Sequence, residues 1–213
     1  MAETPKQKRP RLTVRSAAEM LDKSPDLMAQ MLYDQKYPEQ GNRVFRTPYY
    51  QHAVAGMRRF FSLGRRALMD TRSEIQGFRQ PSRRDNNNRV LASFEDSPLA
   101  KRKLNPAPNR RYYAQIGNVE LRLSPDLQAT EDGEVRVIYF NCKKEKYDPE
   151  VARRLVEIAY WVMFQNGVDI RPDQVEFVDL FDGSIYSVSE VRAKTLESLD
   201  AEALEVTRLW EEL

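Results

Sequence analysis

The sequence has few of the residues from which many catalytic and metal-binding sites are built. Of its 213 residues, one is cysteine and one is histidine. The single cysteine, Cys142, excludes an internal disulfide and a cysteine-built zinc site. Its side chain is expected to pack as a small apolar group. The only histidine, His52, falls in the first turn of a predicted helix, where a structural role is favoured over a metal-binding one.

Long apolar runs are also absent. The longest, Ile158 to Phe164, is far shorter than the roughly 20 residues that a membrane-spanning helix needs. No apolar segment follows the charged amino-terminal residues, so a secretory signal is not expected. A composition that is 41% hydrophobic and 31% charged is typical of a globular protein with a charged surface. We therefore expect a cytoplasmic protein with no membrane attachment.

Charge is distributed unevenly along the chain, although its net value is only +2. Residues 58–111 contain 14 Lys or Arg and 5 Asp or Glu, whereas residues 148–213 contain 6 and 15. This asymmetry either forms a cationic face for a polyanion such as nucleic acid or neutralises itself within the fold. The acidic helices at the carboxyl-terminal end are in turn suited to a protein partner.

The pattern of apolar residues and turn signals predicts three segments. Residues 1–15 are basic and contain two prolines, so a disordered tail is expected there. Residues 16–110 form a basic helical region, whose longest helix runs from Pro48 to about Ile75. Residues 111–213 alternate strands with helices. The predicted fold class is α/β (α+β), with a mixed sheet, flanking helices and a helical region in front.

The pattern also predicts individual connections and helix boundaries. Residues 76–88 are expected to form a polar connection, and residues 105–109 an extended linker between the two halves. A helix should begin at Asp148-Pro149, and a hairpin should turn at Asp182-Gly183. Two final helices, residues 189–199 and 200–213, should bury apolar side chains that include Leu204, Leu209 and Trp210.

One predicted hairpin brings chemically useful side chains together. The strands on either side of the Asp-Gly turn at residues 132–133 should pair with each other. Asp126 ends the first strand, and Asn141 and Lys143 lie at the end of the second. Antiparallel pairing places these ends at one edge of a sheet. Alternation along the strand projects Asn141 and Lys143 from one face, while Cys142 points away.

The order of these elements resembles the core of the PD-(D/E)XK nuclease superfamily, particularly its RecB-like branch. The matching residues are Pro125-Asp126, the hairpin and the tripeptide 141–143 (Asn-Cys-Lys). The helix that begins at Asp148 matches the next helix of that family, and its Tyr160 corresponds to a common tyrosine. The resemblance covers residues 112–188. It implies a restriction-endonuclease-like fold and DNA as the expected partner.

The resemblance also implies phosphodiester hydrolysis that depends on Mg²⁺ or Mn²⁺. In the family, an aspartate and a second carboxylate hold the ion, and the lysine orients water and offsets developing charge. These roles fall here on Asp126 and Lys143, but Asn141 stands where the family has Asp or Glu. The loss of one charge at about 4 Å removes up to roughly 4 kcal/mol at an effective dielectric near 20.

A relocated carboxylate would have to compensate for that loss. The nearby candidates are Glu120, Glu145, Glu150 and Glu157, of which Glu120 and Glu157 are the first choices. The expected metal ligands are therefore Asp126, Asn141, Glu120 and Glu157, with Asp126, Asn141 and Lys143 as the catalytic set. Val156 replaces a glutamine that is common in the RecB-like branch.

Three functions are left open by the sequence. The first is a nucleic-acid-binding protein with a nuclease-like core that cleaves phosphodiesters with a metal. The second is a nuclease fold without catalysis, acting through protein or DNA interactions. The third is a regulator that reads DNA with the helical pair at residues 16–33. The residues predicted to hold a nucleic-acid backbone are Arg58, Arg59, Arg65, Arg66, Arg83, Arg84, Lys101, Arg102 and Lys103.

Overall fold

A computed structural model describes residues 9–21, 23–37 and 49–213 of the chain. The predicted start of a helix at Pro48 and residues 1–8 of the predicted tail lie outside these ranges. The described helices are α1 (Val14–Met20), α2 (Pro25–Lys36), α3 (Gln51–Leu63), α4 (Arg65–Gln76), α5 (Pro81–Asp96), α6 (Pro149–Gln165) and α7 (Ala193–Glu212). None of them is both long and apolar enough to cross a membrane.

The strands form two sheets, which makes the fold α+β as predicted. The described strands are β1 (Arg11–Thr13), β2 (Asn105–Ala107), β3 (Tyr112–Ile116), β4 (Val119–Leu123), β5 (Leu127–Glu131), β6 (Glu134–Asn141), β7 (Val175–Asp179) and β8 (Ile185–Tyr186). A five-stranded sheet has the order β2-β5-β6-β7-β8, and its β6–β7 pair is parallel. A three-stranded sheet has the order β1-β4-β3, and its β1–β4 pair is parallel.

The five-stranded sheet is buried on both faces. Val137 and Tyr139 of β6 belong to one apolar cluster, which includes α1, α2, α6, α7 and the three-stranded sheet. Ile138 and Phe140 alternate with them and belong to a second cluster with α3, α4 and α5. Burial on both faces explains why β6 is almost continuously apolar in sequence. The helical region therefore packs on the same sheet as the later part of the chain.

The structure differs from the predicted tail at residues 11–15. Arg11 lies opposite Glu120 in the parallel pairing of β1 with β4. Leu12 and Val14 are buried, and Thr13 caps α1 by accepting a hydrogen bond from the backbone nitrogen of Ser16 at 3.0 Å. Two apolar side chains with a paired backbone and a helix cap thus order a segment whose composition suggested disorder.

The predicted long helix is broken into α3 and α4. The break is at Gly64, whose φ of 64° lies in the left-handed region that favours glycine. The chain turns back there, so that α4 packs against α3. Their approach is close at Gly56, where an added Cβ would lie 2.6 Å from Oγ1 of Thr71.

Two predicted connections are parts of regular elements. Residues 81–88 belong to α5, in which the buried Asn87 accepts from the backbone nitrogen of Ala53 at 3.2 Å and donates to the carbonyl of Tyr49 at 3.0 Å. The polar composition of residues 81–88 did not predict a helix, because the burial of Asn87 against the start of α3 is a contact between distant residues. Residues 105–107 of the predicted linker form β2, which pairs with β5.

Three further predictions concern the later elements. Asp148 caps α6 by accepting a hydrogen bond from Glu150 N at 2.7 Å, as expected. The β7–β8 hairpin also forms at the predicted place. The two final helices are in fact one continuous helix, α7. Leu209 and Trp210 are buried as expected, but the prediction for Leu204 is wrong, since it is 71% exposed.

Candidate functional site

The β5–β6 hairpin places Asp126 beside the end of β6. Asp132 and Gly133 both have positive φ, 51° and 83°, as a tight two-residue hairpin turn requires. Oδ2 of Asp126 accepts a hydrogen bond from the backbone nitrogen of Phe140 at 2.8 Å. Asp126 leads into β5 instead of ending β4, because β4 belongs to the other sheet. The predicted convergence at one sheet edge is nevertheless present.

Arg15 of α1 reaches the same point from the opposite end of the sequence. Its Nη2 donates to Oδ2 of Asp126 at 3.2 Å and to the carbonyl oxygen of Phe140 at 3.1 Å. The Arg15 side chain is 31% exposed and that of Asp126 is 27% exposed, so the pair lies at the protein surface with one side covered. The sequence pattern did not predict this partner for Asp126.

The guanidinium of Arg15 is held in place by its surroundings. Its central carbon lies 5.6 Å from the ring centroid of Phe177 and 5.9 Å from that of Tyr139. Burial alone would lower the pKa of Arg15, but the charge of Asp126 leads the contributions that raise it above its ordinary value. Arg15 is therefore a fixed positive charge with an exposed part.

Asn141 is hydrogen-bonded to residues other than Asp126. It is fully buried, and its Nδ2 donates to Oδ1 of Asp179 at 2.8 Å and to the carbonyl of Glu145 at 2.9 Å. Its Oδ1 accepts from the backbone nitrogen of Lys143 at 2.9 Å. The amide thus joins neighbouring strand ends and shapes the 141–145 turn. The described hydrogen bonds of this amide do not include the carboxylate of Asp126.

Asp179 completes this buried cluster from β7. It lies opposite Asn141 in the parallel β6–β7 pairing. Besides the amide of Asn141, its carboxylate accepts from the backbone nitrogen of Tyr147 at 2.7 Å and from that of Phe181 at 2.9 Å. A buried carboxylate with three such donors is fully engaged in fixing loops. The role of Asp179 is to hold the strand ends that form the site.

Lys143 lies on an exposed turn after β6, and Cys142 before it is buried. The Nζ of Lys143 lies 5.9 Å from the ring centroid of Tyr147. Cys142 is buried, and burial followed by the charge of Asp126 raises the pKa of its thiol to about 12. A thiol with that pKa is un-ionised at neutral pH, so Cys142 is not an activated nucleophile.

These side chains line a groove of about 430 Å³, which we call the Asp126 groove. Besides two tyrosines, its polar and charged lining consists of Arg15, Arg58, Asp126, Asn141, Lys143, Gln51 and Ser124. Tyr49 and Tyr50, at the start of α3, form part of its wall. The described lining carries three cations and one carboxylate. The groove is therefore suited to an anion.

Arg58 is the one predicted backbone-binding residue that lines the groove. Its Nε donates to the carbonyl oxygen of Asp126, and its Nη2 to that of Pro125 at 3.5 Å. Burial lowers the pKa of Arg58, and the charge of Asp126 partly offsets that effect. Because both acceptors are backbone atoms, no acidic side chain neutralises Arg58 in these contacts.

The other predicted backbone-binding residues lie elsewhere. Arg59 pairs with Glu74 at 3.2 Å, and Arg102 makes a bidentate pair with Glu131 and contacts Glu176. The remaining contacts are Arg66 to Asp70 at 4.0 Å, Arg84 to Asp85 at 3.7 Å and Arg83 to the Phe78 ring at 4.8 Å. Arg65, Lys101 and Lys103 are exposed.

The cluster at residues 101–103 is separated from the groove by the length of β5. Arg102 contacts Glu131 at one end of that strand, whereas Asp126 precedes the other end. Five residues of strand span roughly 17 Å. These cations therefore do not belong to the Asp126 groove.

The two candidate carboxylates lie outside the groove. Glu120 pairs with Arg11 on the three-stranded sheet. Glu157 is fully buried in α6, where it accepts from Nε of Arg192 at 3.0 Å and from Oγ1 of Thr195 at 2.5 Å. Burial would raise the pKa of Glu157, but these hydrogen bonds outweigh it and lower the pKa. Glu157 thus anchors the start of α7.

These contacts indicate how well Asp126 and Asn141 could hold a divalent cation. The Asp126 oxygen that faces Arg15 already serves that guanidinium and the Phe140 amide, and Asn141 is turned towards Asp179. Among residues 9–21, 23–37 and 49–213, no group of three or more His, Cys, Asp or Glu is arranged to hold a metal ion. A magnesium ion at Oδ2 of Asp126 would therefore have to compete with Arg15 and the Phe140 amide.

Sequence reasoning missed Arg15, Tyr49, Tyr50 and Asp179. Asp179 had a usable signal, since it ends an apolar strand as Asn141 does, and parallel strands end at the same edge. No sequence signal indicated Arg15, because its position depends on the pairing of the three-residue strand β1 with β4, more than a hundred residues later in the chain.

Comparison with known proteins assigns the chain to no group. No protein-family model matches it, and no curated protein matches it either.

Proposed function

We propose that the protein binds nucleic acid through a nuclease-like core, with the phosphate backbone in the Asp126 groove and no divalent cation between them. One observation carries the proposal. In the resembled superfamily the aspartate holds a metal ion, whereas here Asp126 holds the guanidinium of Arg15 at 3.2 Å. The guanidinium of Arg15 keeps hydrogen-bond donors beside Asp126 in the place of a metal ion, and Arg58 and Lys143 give the groove its net positive charge.

The other groove cations strengthen this interaction. Arg58 is bound to backbone carbonyls, and Lys143 extends from a turn that is exposed to solvent. Arg110 and Arg111 are exposed and follow Asn109, whose Nδ2 donates to the carbonyl of Pro125 at 2.9 Å. Asn109 thus brings the chain just before these two arginines to Pro125, which lines the groove. Several such charges along a backbone release counterions and give salt-dependent binding.

Binding without cleavage is the better of the two nuclease-fold hypotheses. Metal-assisted hydrolysis needs a carboxylate that is available to the metal, and Oδ2 of Asp126 is engaged by Arg15 and Phe140. Asn141, at the second family position, lines the groove but carries no negative charge for a metal, and its amide is hydrogen-bonded to Asp179 and Glu145. The groove retains the lysine and the surrounding cations, which suffice to hold a backbone.

The hypothesis of a DNA-reading helical pair receives less support. The described part of α2 contains two aspartates and a single basic residue, Lys36. The ammonium of Lys36 donates to the carbonyl of Trp210 at 2.6 Å, so it serves the packing of α2 on α7. A helix placed in the major groove would need cations towards both phosphate backbones.

The proposal can be tested by measuring binding as a function of salt. Fluorescence anisotropy with a labelled oligonucleotide should show log K falling linearly with log salt between about 50 and 200 mM. Replacing Lys143 with alanine should weaken binding and reduce the slope by about 0.7 for a single strand. Lys101→Ala is the matched control, because this exposed lysine lies at the other end of β5.

A different result would reject the proposal. Absence of binding at low salt would do so, as would equal losses in Lys143→Ala and Lys101→Ala. Arg58→Lys provides a second variant that keeps the charge but changes the contacts to Pro125 and Asp126. For this variant, the slope of log K against log salt should stay close to that of the unaltered protein.

A further inference from the structure

We infer that the Asp126 groove takes a single strand of nucleic acid and stacks one of its bases on Tyr49. The inference rests on the proposed function and adds the class of strand that the groove selects. It is based on the aromatic wall of the groove, Tyr49 and Tyr50, which has no part in the proposed phosphate binding.

Tyr49 is an exposed aromatic ring beside the groove cations. It lines the same groove as Arg15, Arg58 and Lys143 and is 37% exposed. Base stacking on such rings, next to a positively charged path for the backbone, is the usual way in which proteins hold single strands. Both parts of that arrangement are present in one groove of this protein.

The ring of Tyr49 is held in position from behind. Its hydroxyl accepts from Nδ2 of Asn86 at 3.0 Å, and its carbonyl accepts from Nδ2 of the buried Asn87 at 3.0 Å. Tyr50 meets it edge to face, with ring centroids 4.9 Å apart, and packs in turn against the helical core cluster. A ring that is already fixed loses little freedom when a base stacks on it.

A paired duplex does not match this arrangement. A duplex presents phosphates on its outside and keeps its bases stacked and paired inside. The cations and Tyr49 line one groove, so a ligand that uses both must bring a phosphate and an unstacked base to the same side. A single strand does so freely, whereas a duplex must first unpair and turn out a base.

The experiment compares three labelled probes with the full-length protein at one low salt concentration. Two are oligothymidylate and oligouridylate of about 12 nucleotides, which fall within the site sizes of single-strand binders. The third is a blunt DNA hairpin. Both single strands should bind at least roughly tenfold more tightly than the hairpin. Replacing Tyr49 with alanine should weaken single-strand binding by roughly 5- to 100-fold and leave hairpin binding unchanged.

Two control variants separate stacking from folding. Tyr49→Phe loses the hydrogen bond from Asn86 but keeps the ring, so its affinity should stay near that of the unaltered protein. Tyr113→Ala removes another exposed ring, 44% exposed on β3 and outside the groove lining, and should change nothing. Thermal melting of each variant confirms that the fold is retained.

Each adverse outcome has a separate meaning. Equal affinity for the hairpin and the single strands, or unchanged single-strand binding in Tyr49→Ala, would overturn the inference and leave the proposed function standing. Binding of no probe would overturn both. Preference for oligouridylate over oligothymidylate would identify RNA as the single strand concerned and would support the inference.

Discussion

Arg15 and Asp126 together fasten the end of β6. Oδ2 of Asp126 accepts from the backbone nitrogen of Phe140, and Arg15 donates both to that oxygen and to the carbonyl of Phe140. One ion pair thus satisfies both backbone groups of a single residue at the sheet edge. The same pair determines the charge of the groove, because it places a cation against the carboxylate that a metal would need.

The first prediction concerns divalent cations. Because Arg15 neutralises Asp126, titration of the protein with Mg²⁺ or Mn²⁺ should give no saturable heat that is specific to this site. Calorimetry measures this directly, with Asp126→Ala as the control. Binding tighter than about 1 mM that disappears in Asp126→Ala would contradict the assignment of Arg15 as the resident cation.

The second prediction concerns the residue at which the chain departs from the nuclease signature. Asn141→Asp should destabilise the fold by about 3–5 kcal/mol, because it sets a second carboxylate against the buried Asp179 and removes two hydrogen bonds. It should not create a metal site. Repulsion raises the pKa of the introduced carboxyl group in the folded state. The loss of stability should therefore grow as the pH rises from about 4 to 8.

Chemical denaturation of matched variants tests this second prediction. Asn118→Asp is the control, since it makes the same substitution at an exposed turn. If Asn141→Asp were as stable as Asn118→Asp, the buried contact between residues 141 and 179 would be ruled out.

The third prediction separates a structural from a metal-binding role for Glu157. Glu157→Ala should cost about 3–5 kcal/mol, because it leaves Arg192 and Thr195 without their buried acceptor. Nucleic-acid affinity should be unchanged. Glu190→Ala, at an exposed position, should have little effect on stability. A large loss of affinity in Glu157→Ala at full stability would instead place Glu157 in the binding site.

The contribution of Glu157 should also depend on pH in a defined direction. Its pKa in the folded protein is below the ordinary value of 4.5, so its ionised form favours folding. Its stabilising effect is fully present above pH 4.5 and is lost as the pH falls through the folded-state pKa. The stability difference between the unaltered protein and Glu157→Gln should therefore shrink on acidification.

The fourth prediction concerns the α3–α4 contact behind the groove. Gly56→Ala should lower the free energy of unfolding by about 1–3 kcal/mol, because the new Cβ would lie 2.6 Å from Oγ1 of the buried Thr71. Gly77→Ala is the control, since its nearest atom is 3.4 Å away and its φ is −72°. Urea titration should show a lower midpoint with an unchanged slope for Gly56→Ala alone.

The parts of the fold that sequence predicted depend on short-range signals. Asp-Gly turns predicted both hairpins, and the Asp148-Pro149 pair predicted the start of α6. In each case the residues that determine the geometry are neighbours in the chain. Asp126 was placed near the end of β6 for the same reason, because a two-residue turn fixes the register of a hairpin.

The parts that sequence did not predict depend on contacts between distant residues. A glycine inside a helical pattern does not reveal whether the helix breaks, and at Gly64 packing of α4 on α3 decides it. The polar start of α5 is helical because Asn87 is buried against the start of α3. Arg15 reaches Asp126 only through the pairing of β1 with β4. Such partners cannot be identified from local spacing.

The most direct test of the central claim is the affinity for a labelled single strand in excess EDTA, compared with the affinity in about 5 mM Mg²⁺ at matched ionic strength. If Arg15 supplies the cation at Asp126, binding in EDTA should be at least as tight as in Mg²⁺, and Lys143→Ala should weaken both equally. Binding that is lost in EDTA and restored by Mg²⁺ would contradict the account, since a metal ion would then hold the phosphate.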